Sequence, residues 1–217
     1  MTLEIAEFRL KIGVALTSAI LIGAGVGLPH AEVIDRMLAV VAGDVVLQSD
    51  VRAAREFGLV SFDSTAPDAD REVLARLIDR ALVLAEVDRF APPEPAATAV
   101  DTLVAAIRAR FTTDQQYAAT LVVVGIEERH LRERVRQDLR MTAYLDQRFT
   151  TVPPSEDELS RYYREHAASF TRAGVLVPFE TARPEIVQAV TAETRRVVVD
   201  EWITGLRRRA DIRIVEP

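Results

Sequence analysis

Glu127 and His130 stand three residues apart in a segment of helical character and are the clearest candidate metal ligands in the sequence. A Glu and a His at this spacing share one helix face in helical di-iron proteins, which need a second such pair and further glutamates. His166 does not complete a second pair, because the residue three positions before it is Tyr163. We therefore expect no metal ion and interpret Glu127 and His130 as part of a solvated, charged helix surface.

The residues that other common catalytic mechanisms require are also absent from the sequence. The sequence contains no cysteine, which excludes disulfides, thiolate metal sites and cysteine nucleophiles. No serine or threonine stands near a histidine and an acid in the setting that nucleophilic catalysis requires. The glycine-lysine loop that binds nucleotide phosphates is absent as well. The sequence thus predicts a protein that is not an enzyme, has no cofactor and works without ATP.

A helix, a glycine and an arginine-rich helix follow one another between Asp114 and Arg140, in the order of a DNA-reading helix-turn-helix. Five arginines between Glu127 and Arg140 are interleaved with four acidic residues, and the whole chain carries a net charge of -6. Because a nucleic-acid backbone demands a clustered positive surface, we expect a salt-bridged surface helix and no nucleic-acid partner. A cytosolic helix-turn-helix regulator remains an alternative function.

The residues Leu121 to Val124 form an apolar run more continuous than an amphipathic helix requires, and Phe111 and Tyr117 lie beside it. A helix that is apolar on all sides is usually buried, so one interpretation is that this run belongs to the core. The other is that part of it lines a groove for unfolded polypeptides, which bind through apolar area. Under the second interpretation, the candidate peptide-binding residues are Phe111, Tyr117, Leu121, Val123 and Val124.

The composition favours helices, with 49% apolar residues, 28% charged residues and only nine glycines. Apolar residues recur at three- and four-residue steps along several segments, as on the buried face of a helix. Thr113 and Ser155 each stand three residues before Gln or Glu, which is typical of a capping box at a helix start. The predicted helices cover 51–57, 69–90, 95–111, 113–124, 127–149, a segment from 155, and 179–209.

The last of these helices, 179–209, is predicted to be long and to bend at Pro184, because proline removes one bond of the helical ladder. Its apolar positions run along one face, which we expect to be buried. These positions are Ile186, Val190, Val197, Val198, Trp202 and Leu206.

Strand patterns occur at both ends of the chain. Two β-branched runs, 37–41 and 45–47, surround a glycine turn and predict a hairpin, while Ile212, Arg213 and Ile214 alternate as a half-buried strand would. Isolated two-stranded ribbons are marginally stable, so we expect strand 211–215 to pair with the hairpin. The prediction is a mainly α (α+β) domain over 32–217, closed by a small antiparallel sheet.

The N-terminal segment has the layout of an export signal. Residues 12–29 carry no charge and follow Arg9 and Lys11. A helix of 18 residues spans about 27 Å, short of the roughly 30 Å hydrocarbon core of a membrane. We expect 1–31 to be a signal peptide, cut after Ala31 or Gly25, with an uncleaved membrane anchor as the alternative. Either places the protein in the periplasm or cell envelope.

Four stretches together resemble the SurA family of periplasmic chaperones over most of the chain after the signal. The run from Ile34 to Val51 is similar to that family's first hairpin and helix, and Leu77-Ile78-Asp79 to its second core helix. The stretches 179–186 and 202–207 are similar to its tail. The resemblance implies a chaperone that binds unfolded exported or outer-membrane polypeptides. An envelope scaffold that binds one folded partner is the alternative.

The family usually carries parvulin prolyl-isomerase domains between the helix that resembles 155–169 and the tail helix. Only nine residues separate Ser169 from Phe179, whereas a domain needs roughly 50 or more. The resemblance therefore implies chaperone activity without isomerase activity.

Overall fold

The computed structural model describes residues 35–215. Seven α-helices, one short 3-10 helix and five short strands occupy this part of the chain. The helices are α1 Gln48–Glu56, α2 Ala69–Phe90, α3 Ala97–Arg108, α4 Asp114–Val124, α5 Glu128–Arg148, α6 Glu156–Glu165 and α7 Phe179–Arg209, with the 3-10 helix at Ala167–Phe170. The strands are β1 Met37–Val41, β2 Asp44–Leu47, β3 Thr171–Arg172, β4 Val175–Leu176 and β5 Ile212–Ile214.

The two ends of the described chain meet in one antiparallel sheet of order β2-β1-β5. The β1–β2 turn has two residues with positive φ, Ala42 at 51° and Gly43 at 96°, a geometry whose twist matches the flanking strands. Ile212 lies opposite Val41, and Ile214 lies opposite Ala39. The predicted pairing of the C-terminal strand with the N-terminal hairpin is therefore confirmed, as is the mainly helical fold.

Buried apolar side chains form three clusters. The main cluster joins the sheet, α1, α2, α5 and the end of α7, with residues such as Val41, Val73, Leu77 and Leu206. A second cluster joins α1, α3, α4 and the first half of α5. The third, here called the satellite cluster, lies between α6, the 3-10 helix and the first part of α7; its buried residues are Leu159, Phe170, Ala182 and Ile186.

The capping residues predicted from the sequence explain where two helices begin. Ser155 precedes α6; its N–H donates to the Glu158 carboxylate at 2.8 Å, and its hydroxyl accepts from the Glu158 N–H. The Ser155 hydroxyl also donates to the Glu158 carboxylate, at 2.7 Å, and the two bonds that Ser155 donates hold the pKa of Glu158 below its usual value. At α4 the Thr113 hydroxyl accepts from the Gln116 N–H, but the Gln116 side chain accepts from Thr112 and not from Thr113.

Three predicted boundaries differ from the structure. The helix predicted over 95–111 covers only Ala97–Arg108, and α1 begins three residues earlier than predicted, at Gln48. The predicted loop before α7 contains the β3–β4 hairpin, in which Thr171 pairs with Leu176. Strands of two residues carry too few side chains to produce an alternating pattern, so this hairpin has no sequence signal.

Within residues 35–215, no helix is sufficiently long and apolar to cross a membrane. The predicted signal peptide or anchor, 1–31, lies outside the described residues.

Candidate functional site

The structure places four of the five predicted peptide-binding residues inside the second cluster. Tyr117, Leu121 and Val124 are buried, and Phe111 packs against them. Val123 is 74% exposed at the end of α4, beside Val122, which is 80% exposed. The apolar run thus divides between core and surface, and Val123 alone of the five presents most of its side chain to solvent.

The aromatic members of this set are occupied with one another. Phe111 lies 5.5 Å from Tyr117 and 5.7 Å from Phe57, measured between ring centroids, in tilted and edge-on arrangements that stabilise aromatic packing. The Arg108 guanidinium lies over the Tyr117 ring, 5.4 Å from its centroid. Burial raises the pKa of the Tyr117 hydroxyl, and the nearby carboxylate of Glu128 adds to the rise. These rings hold α1, α3 and α4 together.

A cleft of about 590 Å³ lies between α2, α5, the last third of α7 and the loop after α1. Its apolar lining comes from four separate segments of the chain, which only the tertiary fold brings together. These apolar residues are Leu59, Val60, Val83, Met141, Leu145 and Ile203. A cleft of this size, with an apolar floor and a charged rim, is typical of a ligand or peptide site.

This cleft continues along the outer face of α7. Asp200 and Thr204 line both the cleft and a shallower depression beside it, and Val197 lines that depression and a third one between α6 and α7. The third depression has a volume of about 400 Å³ and an apolar floor that includes Tyr162 and Val190. We call the three joined depressions the α7 trough.

The exposure of the α7 trough corrects one expectation from the sequence. Val197 and Val198 were expected on a buried face of the long helix, but they are 48% and 44% exposed. The ends of that face are buried as expected, Ile186 in the satellite cluster and Leu206 in the main cluster. The middle of α7 spans the gap between these clusters, and no described element covers it. Exposed valines on the floor of a concave surface are available to bind another chain.

Ion pairs fix the walls of the cleft. The Arg80 Nε donates to the Asp138 carboxylate at 2.7 Å and joins α2 to α5, while Arg207 pairs with Asp79 and joins α7 to α2. A third pair, Arg195 with Asp146 at 2.5 Å, joins α7 to α5. Because the two partners of each pair lie on different helices, the pairs fix the positions of these helices around the apolar floor.

Behind the cleft wall, the guanidinium of Arg134 is poorly partnered. Its Nε and Nη2 atoms are buried without a hydrogen-bond acceptor, and the Asp138 carboxylate lies 3.9 Å away, beyond hydrogen-bonding distance. Burial, with a smaller contribution from the charge of Arg80, lowers the pKa of Arg134 to about 10. Asp138 already accepts a hydrogen bond from Arg80, so its carboxylate is a weaker partner for Arg134.

Glu127 and His130 have a structural role at the start of α5. The Glu127 N–H donates to the His130 Nδ1 atom at 3.1 Å, so the imidazole satisfies a free backbone donor at the helix start. No group of three or more His, Cys, Asp or Glu side chains able to hold a metal ion occurs among residues 35–215. Both residues are exposed, in agreement with the interpretation of a charged helix surface.

Except for the buried Arg134, the arginines between Glu127 and Arg140 that suggested a DNA-reading helix are paired with carboxylates. Arg132 pairs with Asp101 on α3, and Arg140 lies 2.9 Å from Asp88 on α2. Arg136 binds Glu133 and also Glu94, and this hydrogen bonding raises its pKa. A neutralised helix that packs on α2 and α3 offers no concentrated positive face to a phosphate backbone.

The sequence matches no protein-family model. It is 25% identical over 205 residues to the chaperone SurA of Alkalilimnicola ehrlichii, in an alignment that covers 89% of this chain and 46% of SurA. The chain thus spans about half the length of that relative.

The fold is similar to a solved chain from a study that describes PEB4 and the periplasmic protein Cj1289 of Campylobacter jejuni as two structurally related SurA-like chaperones. The TM-score is 0.50 at 12% sequence identity, and the match covers 83% of this chain and 99% of the other. The chain is thus similar in sequence to a SurA chaperone and in fold to a SurA-like chaperone.

Proposed function

We propose that the chain is an ATP-independent chaperone of the periplasm, which holds apolar segments of unfolded exported and outer-membrane polypeptides in the α7 trough. The observation that carries the proposal is the exposed apolar floor around Val197 and Val198, which lies in a concave surface and has no partner among the described elements. Apolar area of this kind binds many sequences, because burial is non-directional.

The comparisons support a chaperone role, since both the sequence relative and the structural neighbour bear the name of chaperones. The study of the structural neighbour describes Cj1289 as a periplasmic protein, which agrees with the predicted export signal in 1–31. Release of a client needs no nucleotide. A client that folds or inserts elsewhere is withdrawn from the binding equilibrium, so release follows from mass action.

We further propose that the chain acts without prolyl-isomerase activity. From His166 to Pro178 the chain passes through the 3-10 helix and the β3–β4 hairpin and then enters α7 directly. The Val177 N–H donates to the Phe170 carbonyl at 2.9 Å and closes this connection. We expect no acceleration of cis-trans exchange in a proline-containing peptide, and measurable acceleration would contradict this part of the proposal.

The test compares two pairs of exposed valines. We expect Val197→Ser/Val198→Ser to reduce several-fold the capacity of the protein to suppress aggregation of a urea-denatured outer-membrane protein on dilution, measured by light scattering. Val122→Ser/Val123→Ser is the control, because it makes the same chemical change at two adjacent, still more exposed valines on α4. Neither change enters a buried cluster, so both variants should fold, as circular dichroism would verify.

Each outcome assigns the site. Loss of activity in the α7 variant alone supports the trough. Loss in the α4 variant alone moves the site to the set predicted from the sequence, Phe111, Tyr117, Leu121, Val123 and Val124, of which Val123 would make the contact. A wild-type protein that suppresses no aggregation, and instead binds one folded envelope protein in a pull-down, would replace the chaperone with a scaffold.

A further inference from the structure

We propose that the α7 trough selects polypeptide segments in which an apolar stretch is flanked by lysine or arginine residues. This inference rests on the proposed function, because it concerns which clients the same trough holds. It arises from the distribution of charge around the apolar floor, and specifically from the carboxylates that the fold leaves without a cation.

Charged residues along the trough fall into two groups. At the cleft end, the rim is neutralised internally, because Arg80 pairs with Asp138 and Arg207 with Asp79. Four carboxylates that line the middle of the trough have no ion-pair partner among residues 35–215. These carboxylates belong to Glu165, Glu193, Asp200 and Glu201.

Two guanidinium groups of the trough, those of Arg161 and Arg208, are also without an ion pair in the described part of the chain. They are outnumbered two to one by the free carboxylates named above. The middle of the trough is therefore negative, in line with the net charge of -6 of the whole chain. A cationic segment would be attracted to it, and an anionic segment would be repelled.

The positions of the carboxylates match an extended chain. Glu193 and Asp200 lie on either side of Val197, seven residues apart on one helix. At 1.5 Å per residue this separation is about 10 Å. An extended polypeptide covers the same distance in about three residues at 3.3 Å each. A client with a short apolar stretch between two basic residues would thus bring its two cations near these carboxylates, because the long side chains of lysine and arginine can turn toward the same surface from either face of an extended chain.

The basic side chains also suit the floor chemically. The aliphatic stems of lysine and arginine can lie along apolar surface while their charged groups reach a carboxylate at the rim. Tyr162 lines the same region, where its ring stacks on His166 with centroids 4.0 Å apart and adds apolar area to the floor.

The experiment uses three fluorescein-labelled peptides that share one apolar core and are flanked by Lys, Ser or Glu pairs. We expect the Lys-flanked peptide to bind the full-length protein most tightly and the Glu-flanked peptide most weakly, as measured by fluorescence anisotropy. The difference between them should be roughly tenfold at low ionic strength and should shrink at about 0.5 M salt, because exposed charges are screened.

A variant with the middle carboxylates neutralised, Glu193→Gln/Asp200→Asn/Glu201→Gln, should lose this preference and still bind the Ser-flanked peptide. The matched control is Glu56→Gln/Asp157→Asn/Glu180→Gln, which changes the net charge equally at exposed sites outside the trough. The control should retain the preference. If both variants lose it equally, net charge and not the trough is the cause, and the inference is overturned.

Two further outcomes separate the inference from the proposed function. Equal binding of all three peptides by the wild-type protein overturns the charge preference and leaves the chaperone proposal intact. No binding of any peptide overturns both.

Discussion

At the scale of single residues, the side chains that suggested chemistry are used in the structure for folding. His130 accepts a hydrogen bond at the start of α5, and Phe111 and Tyr117 fill the space between three helices. Neither use is visible in the sequence, because spacing reports which residues share a helix face but not what lies opposite that face. The opposite holds in the α7 trough, where Val197 and Val198 fit the sequence pattern of a buried face but are exposed in the structure.

Arg134 leads to a prediction about stability. Its guanidinium is charged at neutral pH, and two of its buried nitrogen atoms have no acceptor, so it carries an uncompensated desolvation cost. We expect Arg134→Met to raise the free energy of unfolding by roughly 1 kcal/mol, because the methionine fills similar space without a charge. Chemical denaturation at pH 7 measures the change.

The pH dependence of this effect has a defined sign. The folded-state pKa of Arg134, about 10, lies below its ordinary value of 12.5, so the charged form is the one that folding disfavours. The destabilisation is fully present below pH 10 and is relieved as the pH rises through that value. The gain from Arg134→Met should therefore be constant between pH 6 and about 9. Arg132 lies on the same helix as Arg134 but is more exposed and pairs with Asp101 on α3, so Arg132→Met should give no gain in stability. Equal gains in both variants would contradict the explanation.

At the scale of elements, the sequence predicts most helices because their apolar faces repeat at helical spacing. The bounds of α2 and α7 agree with the structure to the residue, and the hairpin agrees except at the start of β2. Cap residues explain the agreement at α6, where Ser155 and Glu158 bind one another. The sequence does not show which element packs against each apolar helix face. The middle of α7 has the composition of a buried stripe, but the clusters at its two ends lie too far apart along the helix to cover it.

The pairing of β5 with β1 leads to a prediction for the sheet. The Ala42 N–H donates to the Asp211 carbonyl, and the Val215 N–H donates to the Leu38 carbonyl. Hydrogen-bonded pairs alternate in an antiparallel ladder, so Arg213 also bonds to β1, whereas the N–H of Ile214 points away from β1. We expect Arg213→Pro to lower the free energy of unfolding by roughly 2 to 3 kcal/mol, because it removes a ladder donor.

Ile214→Pro is the control for this prediction, since the same residue type is introduced one position along the strand, where no bond to β1 is lost. We expect it to cost less than half as much as Arg213→Pro. Thermal denaturation followed by circular dichroism compares the two variants. Equal losses would mean that β5 tolerates no proline at all and that the ladder bond is not the reason.

At the scale of the whole molecule, the α7 trough exists because one helix of 31 residues joins two separate hydrophobic clusters. Its first part packs on α6 in the satellite cluster, and its last part packs on α2 and the sheet in the main cluster. A shorter helix would bring the clusters together and bury Val197 and Val198. The concave surface is therefore a consequence of the length of α7, which the sequence predicts, and of the distance between clusters, which it does not.

This architecture predicts that the satellite cluster unfolds without the main cluster. Ile186 is fully buried in the satellite cluster, and truncation of a buried isoleucine to alanine costs about 2 to 5 kcal/mol. In Ile186→Ala we expect hydrogen exchange to accelerate at least about 30-fold in α6 and the first turns of α7, and to remain unchanged in α2. The reason is that no buried residue belongs to both clusters.

Leu77→Ala, in the main cluster, is the matched comparison and should accelerate exchange in the sheet, α2 and α5, which pack on that cluster, but not in α6. If Ile186→Ala accelerates exchange in α2 as much as in α6, the two clusters form one cooperative unit. The α7 trough would then be a groove on a single rigid body. If the accelerations differ as expected, the α6 end of the trough can open while the cleft between α2, α5 and α7 stays formed, so clients of different lengths could be held at one fixed end.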